Sequence, residues 1–270
     1  MKPKILLVLL SIVVFLGTVA STSLYAQGRA PLPPGPPTTP KAAAPIDLTG
    51  YWVSIIVDEW RFRVSPQKGD IVYMPLNAEA RRIANAWDPA KDEADGQQCK
   101  AYGAVGVMQR PGRLHITWEN DNTLRIDADA GTQTRLLHFG APPAQKGAPT
   151  WQGYSAAQWL VGTRALLDTG GTGFVPGLGP GGNMPRGGTL RVTTTNMLPG
   201  YLRKNGVPYS ANAVLNEYFN FVTGGQGEPY FVVTAMVDDP TYLNQQFIRT
   251  YNFKKQPDAS GWEPTPCLPR

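Results

Sequence analysis

Residues 113–139 read RLHITWENDNTLRIDADAGTQTRLLHF. Leu114, Ile116 and Trp118 alternate with His115, Thr117 and Glu119; after Asn120-Asp121-Asn122, Leu124 and Ile126 alternate with Thr123, Arg125 and Asp127. A period of two, broken by Asn and Asp, is the signature of a half-buried strand, a turn and a second strand. Ala130-Gly131 offers another turn before the apolar run ending at Phe139. The segment is therefore predicted as a three-stranded antiparallel meander with one apolar and one polar face. A loop over Asn120–Asn122 sets Glu119 opposite Thr123, Thr117 opposite Arg125, His115 opposite Asp127 and Arg113 opposite Asp129. The second turn leaves two registers open: one brings Arg135 beside Asp127, the other puts Arg135 on the apolar face.

Further β-branched and aromatic runs flank this unit at Tyr51–Val57, Thr189–Asn196, Val214–Val222, Tyr230–Val237 and Phe247–Phe253, with shorter candidates at Arg61–Val64 and Ile71–Met74. One helix is predicted, where Leu76, Ala80, Ile83, Ala84 and Trp87 fall at helical spacing, Asn77 caps and Pro89 stops it. Asp88–Gly103 reads as an irregular polar excursion. Glycine and proline together supply about one residue in five, which argues against a helical bundle. The expected fold is mainly β, an antiparallel up-and-down barrel of about 8–10 strands with one short helix and long Gly/Pro-rich loops. The longest is the glycine-rich loop at 169–188, which has nine glycines. It lacks the strand–turn–helix setting of a phosphate-cradling loop.

Outside the barrel, residues 1–26 have the form of a secretory signal: Lys2 and Lys4, then an apolar run from Ile5 to Ala20, then small residues suited to cleavage after Ala20 or Ala26. The run is short for a membrane span, so no stable span is expected after cleavage. Residues 27–46 hold seven prolines and read as an extended linker. The barrel is expected over 47–255 and a tail over 256–270. Cys99 and Cys267 are the only two cysteines, and in an exported chain they most simply pair, pinning that tail. A periplasmic or secreted location follows from the same reading.

The formal charge of +5 falls by two to +3 once Lys2 and Lys4 are removed, and the remaining basic residues are scattered. Nucleic-acid binding, which needs cations gathered on one face, is not expected. Two histidines and two cysteines without ligand spacing do not suggest a metal site, and no cofactor is implied.

A resemblance spans much of Asp47–Lys255. It is carried by Pro149-Thr150-Trp151-Gln152-Gly153-Tyr154-Ser155, Trp159, Gly188–Thr194, Gly206-Val207-Pro208-Tyr209-Ser210, Glu217 and Val237–Tyr242. In this order the motifs resemble a family of exported, functionally uncharacterised bacterial β-barrel proteins of lipocalin-like shape. In that family histidines often occupy the places of Tyr154 and Tyr209; this chain has tyrosines, so the resemblance implies a fold without a proton-transfer or metal role.

Candidate chemistry is sparse. Gly153-Tyr154-Ser155-Ala156-Ala157 is a degenerate nucleophile elbow without a strand before it, and it reads as a tight turn. His115 opposite Asp127 is the best acid–base pair, because a carboxylate can fix an imidazole's tautomer and raise its pKa. Strict alternation lets this pair line the barrel or face solvent but not both, and the outward arrangement is expected. Trp118, Trp151, Tyr154, Trp159 and Tyr209 are candidates for contacting a ligand. The expected function is binding of a small, mainly apolar ligand. The alternatives are a cofactor-independent isomerase, lyase or hydrolase working at the barrel mouth, or an envelope or surface interaction protein.

Overall fold

A closed ring with an odd number of strands cannot be antiparallel all the way round, and this ring has nine. In the computed structural model, which describes residues 38–64, 66–141, 147–161 and 188–269, the chain forms β1 (Gly50–Ile55), β2 (Arg113–Asn120), β3 (Thr123–Ala128), β4 (Gln133–Phe139), β5 (Tyr154–Val161) and β6 (Gly188–Thr195). A small hairpin of β7 (Gly200–Arg203) and β8 (Val207–Tyr209) follows, then β9 (Val214–Thr223), β10 (Pro229–Asp238) and β11 (Phe247–Lys255). The ring runs β1-β11-β10-β9-β6-β5-β4-β3-β2 and closes through β1 against both β11 and β2. Its obligatory parallel seam lies between β4 and β5, where Leu137 pairs Ser155 and Phe139 pairs Ala157. The barrel is thus mixed rather than purely up-and-down, because the chain between β4 and β5 returns to the opposite end before pairing.

The meander adopts the expected register at its centre, with His115 opposite Asp127 and Thr117 opposite Arg125. At the turn it differs: Asn120, not Glu119, pairs Thr123 across a bulge, and the Asn120 side chain accepts the Asn122 amide at 2.9 Å. The apolar face points inward. Leu114, Ile116, Leu124 and Ile126 are buried, and His115 faces outward from a half-buried position. The same two-residue burial rhythm runs along β6, β9 and β10. Aromatic rings fill the lumen: Phe231 stacks on Phe253 at 4.6 Å and meets Trp52 edge-on at 4.7 Å. The Trp52 indole donates to the Leu48 carbonyl at 2.8 Å. Each such side chain contributes about 1.5–3 kcal/mol on burial.

One end of the barrel is covered by the long connection between β1 and β2. It folds into α1 (Trp60–Val64), α2 (Ala78–Ala86), α3 (Pro89–Ala94), a 3-10 turn (Gln98–Tyr102) and α4 (Ala104–Val107). Asn77 caps α2 as predicted, accepting the Ala80 amide at 2.9 Å. Three expectations are corrected. Asp88–Gly103 is not an irregular excursion: Pro89, just past the end of α2, opens α3, where a missing N–H costs nothing, and the 3-10 turn follows. Arg61–Val64 belongs to a helix rather than a strand, and Ile71–Met74 forms a turn with Tyr73 at φ 62°. The β7–β8 hairpin completes this cap.

The opposite end is lined by inward-facing Trp118, Phe139 and Trp159, whose rings lie 5.5 and 5.4 Å apart in sequence along the row. Trp159 donates its indole N–H to the Pro40 carbonyl at 2.8 Å, and Lys41 bonds Asp121 through the backbone. Pro40 and Lys41 of the proline-rich stretch are therefore packed against the barrel, where the composition suggests an extended linker. The expected leader (1–26), the rest of that stretch and the glycine-rich residues before Gly188 lie outside the described residues.

Cys99 in the 3-10 turn and Cys267 in the tail form a disulfide with Cα atoms 5.1 Å apart. Thr265 continues the attachment, its amide donating to Asp129 and its carbonyl accepting from Thr132, each at 2.9 Å. The bond closes a separation of 168 residues, for which chain entropy allows up to about 5 kcal/mol. The Cys99→Ser/Cys267→Ser protein is expected to unfold at markedly lower urea concentration with an undiminished transition slope. An unchanged midpoint would show that the bond adds no stability.

Candidate functional site

Between the aromatic lumen and the cap lies a polar layer that no two-residue pattern announces. Its floor is Arg135 on β4, which the second turn of the meander directs inward opposite Ile126. Arg135 grips Glu217 on β9 in a two-pronged ion pair, Nη2 to Oε2 at 2.7 Å and Nη1 to Oε1 at 3.1 Å, with both side chains almost wholly buried. Two hydroxyls complete the floor: Ser155 on β5 and Thr194 on β6 lie 2.7 Å apart and receive Arg135 Nη2 at 3.4 and 3.3 Å. Ser155 therefore belongs to a structural network, and the elbow-like sequence around Gly153 does not present a nucleophile to solvent.

Above this floor stand three more buried arginines, from separate parts of the cap: Arg63 of α1 (3% exposed), Arg110 just after α4 (5%) and Arg203 of β7 (1%). Gln109 fixes the segment that carries Arg110 by donating to the Val105 and Leu202 carbonyls at 3.0 and 2.7 Å. Arg63 Nε donates to the Gln109 carbonyl at 3.2 Å, and its guanidinium lies over the Tyr251 ring at 5.3 Å. Arg203 stacks over Phe62 at 4.3 Å. Acidic partners are few. Glu59 binds Arg249 at 2.7 Å but reaches Arg203 only at 3.4 Å, and the half-exposed Asp58 is 3.7 Å from Arg63. Among the described residues, all three guanidinium nitrogens of Arg110, both terminal nitrogens of Arg63 and Nη1 of Arg203 are buried without a hydrogen-bond partner. Burial pulls the Arg110 guanidinium down to about 10 and lowers Arg63 and Arg203 as well. The same burial raises the Tyr251 phenol, which stays protonated near neutrality.

The structure separates the residues singled out from the sequence. His115 stacks face to face on Tyr51 at 4.1 Å on the outer wall, with Trp262 edge-on at 6.2 Å. Its cross-strand neighbour Asp127 binds Arg125 at 2.7 and 2.9 Å and accepts the Thr134 hydroxyl. Burial pushes the Asp127 carboxyl up, but Arg125 and Thr134 outweigh it and hold it below its ordinary value. Trp118 and Trp159 share the uncapped end; Trp151 lies at the capped end, donating to the Pro199 carbonyl at 3.3 Å. Tyr209 is buried in the cap hairpin against Gly103 and Gly200, and Tyr154 stacks on His138 outside the barrel at 5.1 Å. These five therefore do not form one site.

Two surface clefts lie elsewhere. One, of about 400 Å³, is bordered by Trp87, Asp92, Lys100 and Tyr201, and its Asp92 carboxylate is satisfied by all three of those neighbours. The other, of about 260 Å³, lies on the outer wall beside Gln158 and Arg191. Among the described residues no group of three or more His, Cys, Asp or Glu side chains could hold a metal ion, and no helix is long and apolar enough to cross a membrane. Comparison of the chain with protein-family models, curated proteins and solved structures gave no match.

The motif residues of the resemblance do have structural work. Glu217 anchors Arg135, while the Asp239 carboxylate accepts the Ser210 amide at 2.6 Å and hydroxyl at 2.7 Å, tying two loops at the capped end. The buried pair can be tested by a double-mutant cycle. Glu217→Leu alone strands Arg135 and is expected to lose about 3–5 kcal/mol, whereas Arg135→Met/Glu217→Leu recovers most of that loss. Equal losses in the single and double variants, measured by urea unfolding, would show that the pair is not what matters.

Proposed function

We propose that the protein is exported, to the periplasm or beyond the cell, and binds a small ligand at the capped end of its barrel. The observation that carries this reading is the set of buried guanidinium nitrogens without partners beneath the cap. Buried charge without a counter-charge is costly by several kcal/mol per ion, and a fold tolerates it where another molecule supplies the missing partner. Export is supported by the signal-like leader and by the disulfide. An apolar ligand inside the lumen would have to displace Trp52, Phe219, Phe231 and Phe253, all fully buried, which favours the capped end over the lumen. An acid–base role for His115 and Asp127 draws less support, since Asp127 is engaged by Arg125 and Thr134.

Native mass spectrometry of protein purified from its own host tests the reading. A bound species of discrete mass, released on mild unfolding, is the expected result. Only the bare chain, together with no thermal shift across a panel of polar metabolites and inorganic anions, would overturn it.

A further inference from the structure

We infer that Arg110, flanked by Arg63 and Arg203, forms a binding site for a doubly charged oxyanion, a phosphoryl or dicarboxylate group. This rests on the ligand-binding reading above and gives the ligand its chemistry.

Arg110 is the centre because its planar fork is wholly unused. A guanidinium carries five N–H donors, and in Arg110 none of its three nitrogens has an acceptor among the described residues. A fork of this shape matches two oxygens of a phosphate or carboxylate at once, which a point-charge lysine would not. The two neighbours add donors of the same kind: both terminal nitrogens of Arg63 and Nη1 of Arg203 are also without a hydrogen-bond acceptor among the described residues. Gln109, next to Arg110 in the chain, ties the three together: its carbonyl accepts Arg63 Nε at 3.2 Å, and its side chain donates at 2.7 Å to the carbonyl of Leu202, next to Arg203. Their mutual repulsion is itself a reason to expect an anion between them.

The charge balance sets the ligand's valence. Glu217 neutralises Arg135, and Glu59 is held closest by Arg249. Asp58 is half-exposed and beyond hydrogen-bond distance from Arg63, so it offsets that residue weakly. Arg203 shares Glu59 with Arg249 through contacts at 3.4 Å, so four arginines (Arg63, Arg110, Arg203 and Arg249) face two carboxylates (Asp58 and Glu59), an excess of two positive charges. A singly charged carboxylate would leave half of this excess in place, whereas a dianion meets it. The aromatic rings of Phe62, stacked on Arg203, and Tyr251, beneath Arg63, keep the surroundings of low dielectric, which strengthens each charged hydrogen bond.

The test uses the full mature chain, with inorganic phosphate and succinate as probes and sodium chloride at matched ionic strength as reference. Either dianion is expected to raise Tm by roughly 5–10 °C at a hundredfold excess over Kd, with chloride well below that. Phosphate acting alone identifies the phosphoryl group; succinate acting alone identifies the dicarboxylate. Arg110→Met should abolish the shift and Arg110→Lys should weaken binding at least tenfold by calorimetry. Removing an uncompensated buried charge is expected to leave Arg110→Met folded with an equal or higher Tm, and Arg203→Met provides an independent second variant expected to weaken binding. An equal shift in wild type, Arg110→Met and Arg203→Met would mean an adventitious ion only and overturn the inference. So would the absence of any shift beyond chloride. A co-purified neutral molecule with no response to either dianion would overturn the anion assignment while leaving ligand binding standing.

Discussion

The buried ion pair between Arg135 and Glu217 is the interaction on which the organisation of this barrel turns. Arg135 lies on the inward face of β4, on the same side as Leu137, and its charge is admissible there only because Glu217 faces it from β9. The two strands are separated in the ring by β5 and β6, and each of those contributes a hydroxyl, Ser155 and Thr194, to the same network. Four strands are thereby fixed in register by one polar cluster. A slip of one residue on any of them would turn a member outward and leave the rest unsatisfied in the interior. The pair also divides the interior, with aromatic packing on one side and the arginine-rich layer beneath the cap on the other.

Much of the wall was legible in the sequence because alternation is a local signal. The 113–139 meander, the opposition of His115 and Asp127, the Asn77 cap and the Cys99–Cys267 bond all follow from neighbours in sequence or from simple chemistry. The parallel seam between β4 and β5 was not legible. It depends on where the intervening chain returns, and parity alone demands that such a seam exist in a nine-strand ring. The side taken by Arg135 was undecided for a related reason. The turn at Ala130–Thr132 admits either register, and the deciding partner, Glu217, lies 82 residues away. Arg61–Val64 carries no decisive local signal, because four residues of mixed charge and bulk fit a strand or the single helical turn they form equally well.

The candidate site was less legible than the wall. His115 and Asp127 stood out because they are titratable and opposed, yet the alternation that reveals them also places them outside. Arg63, Arg110 and Arg203 come from a one-turn helix, a turn and a four-residue strand, elements too short to carry a period. A faint signal existed at Arg110, which follows directly on the apolar run Ala104–Met108, with only Gln109 between. A cation so close to a fully buried run is under pressure to be buried with it.

The pairing of β1 with both β2 and β11 bears on how the barrel is reached as well as on what it is. Val53 pairs Lys254 on one side and Arg113 on the other, so the ring is sealed by contacts spanning most of the described chain. Until that seal forms, β1 and β11 each present a row of unsatisfied amides and carbonyls, open to pairing with another molecule. Contacts so distant in sequence form slowly, since the entropy of a long closure must be spent before any hydrogen bond is gained. The finished wall has no free edge, but the nascent one has two. For such a chain the vulnerable interval is the time before closure, when crowding by copies of itself invites pairing at the open edges.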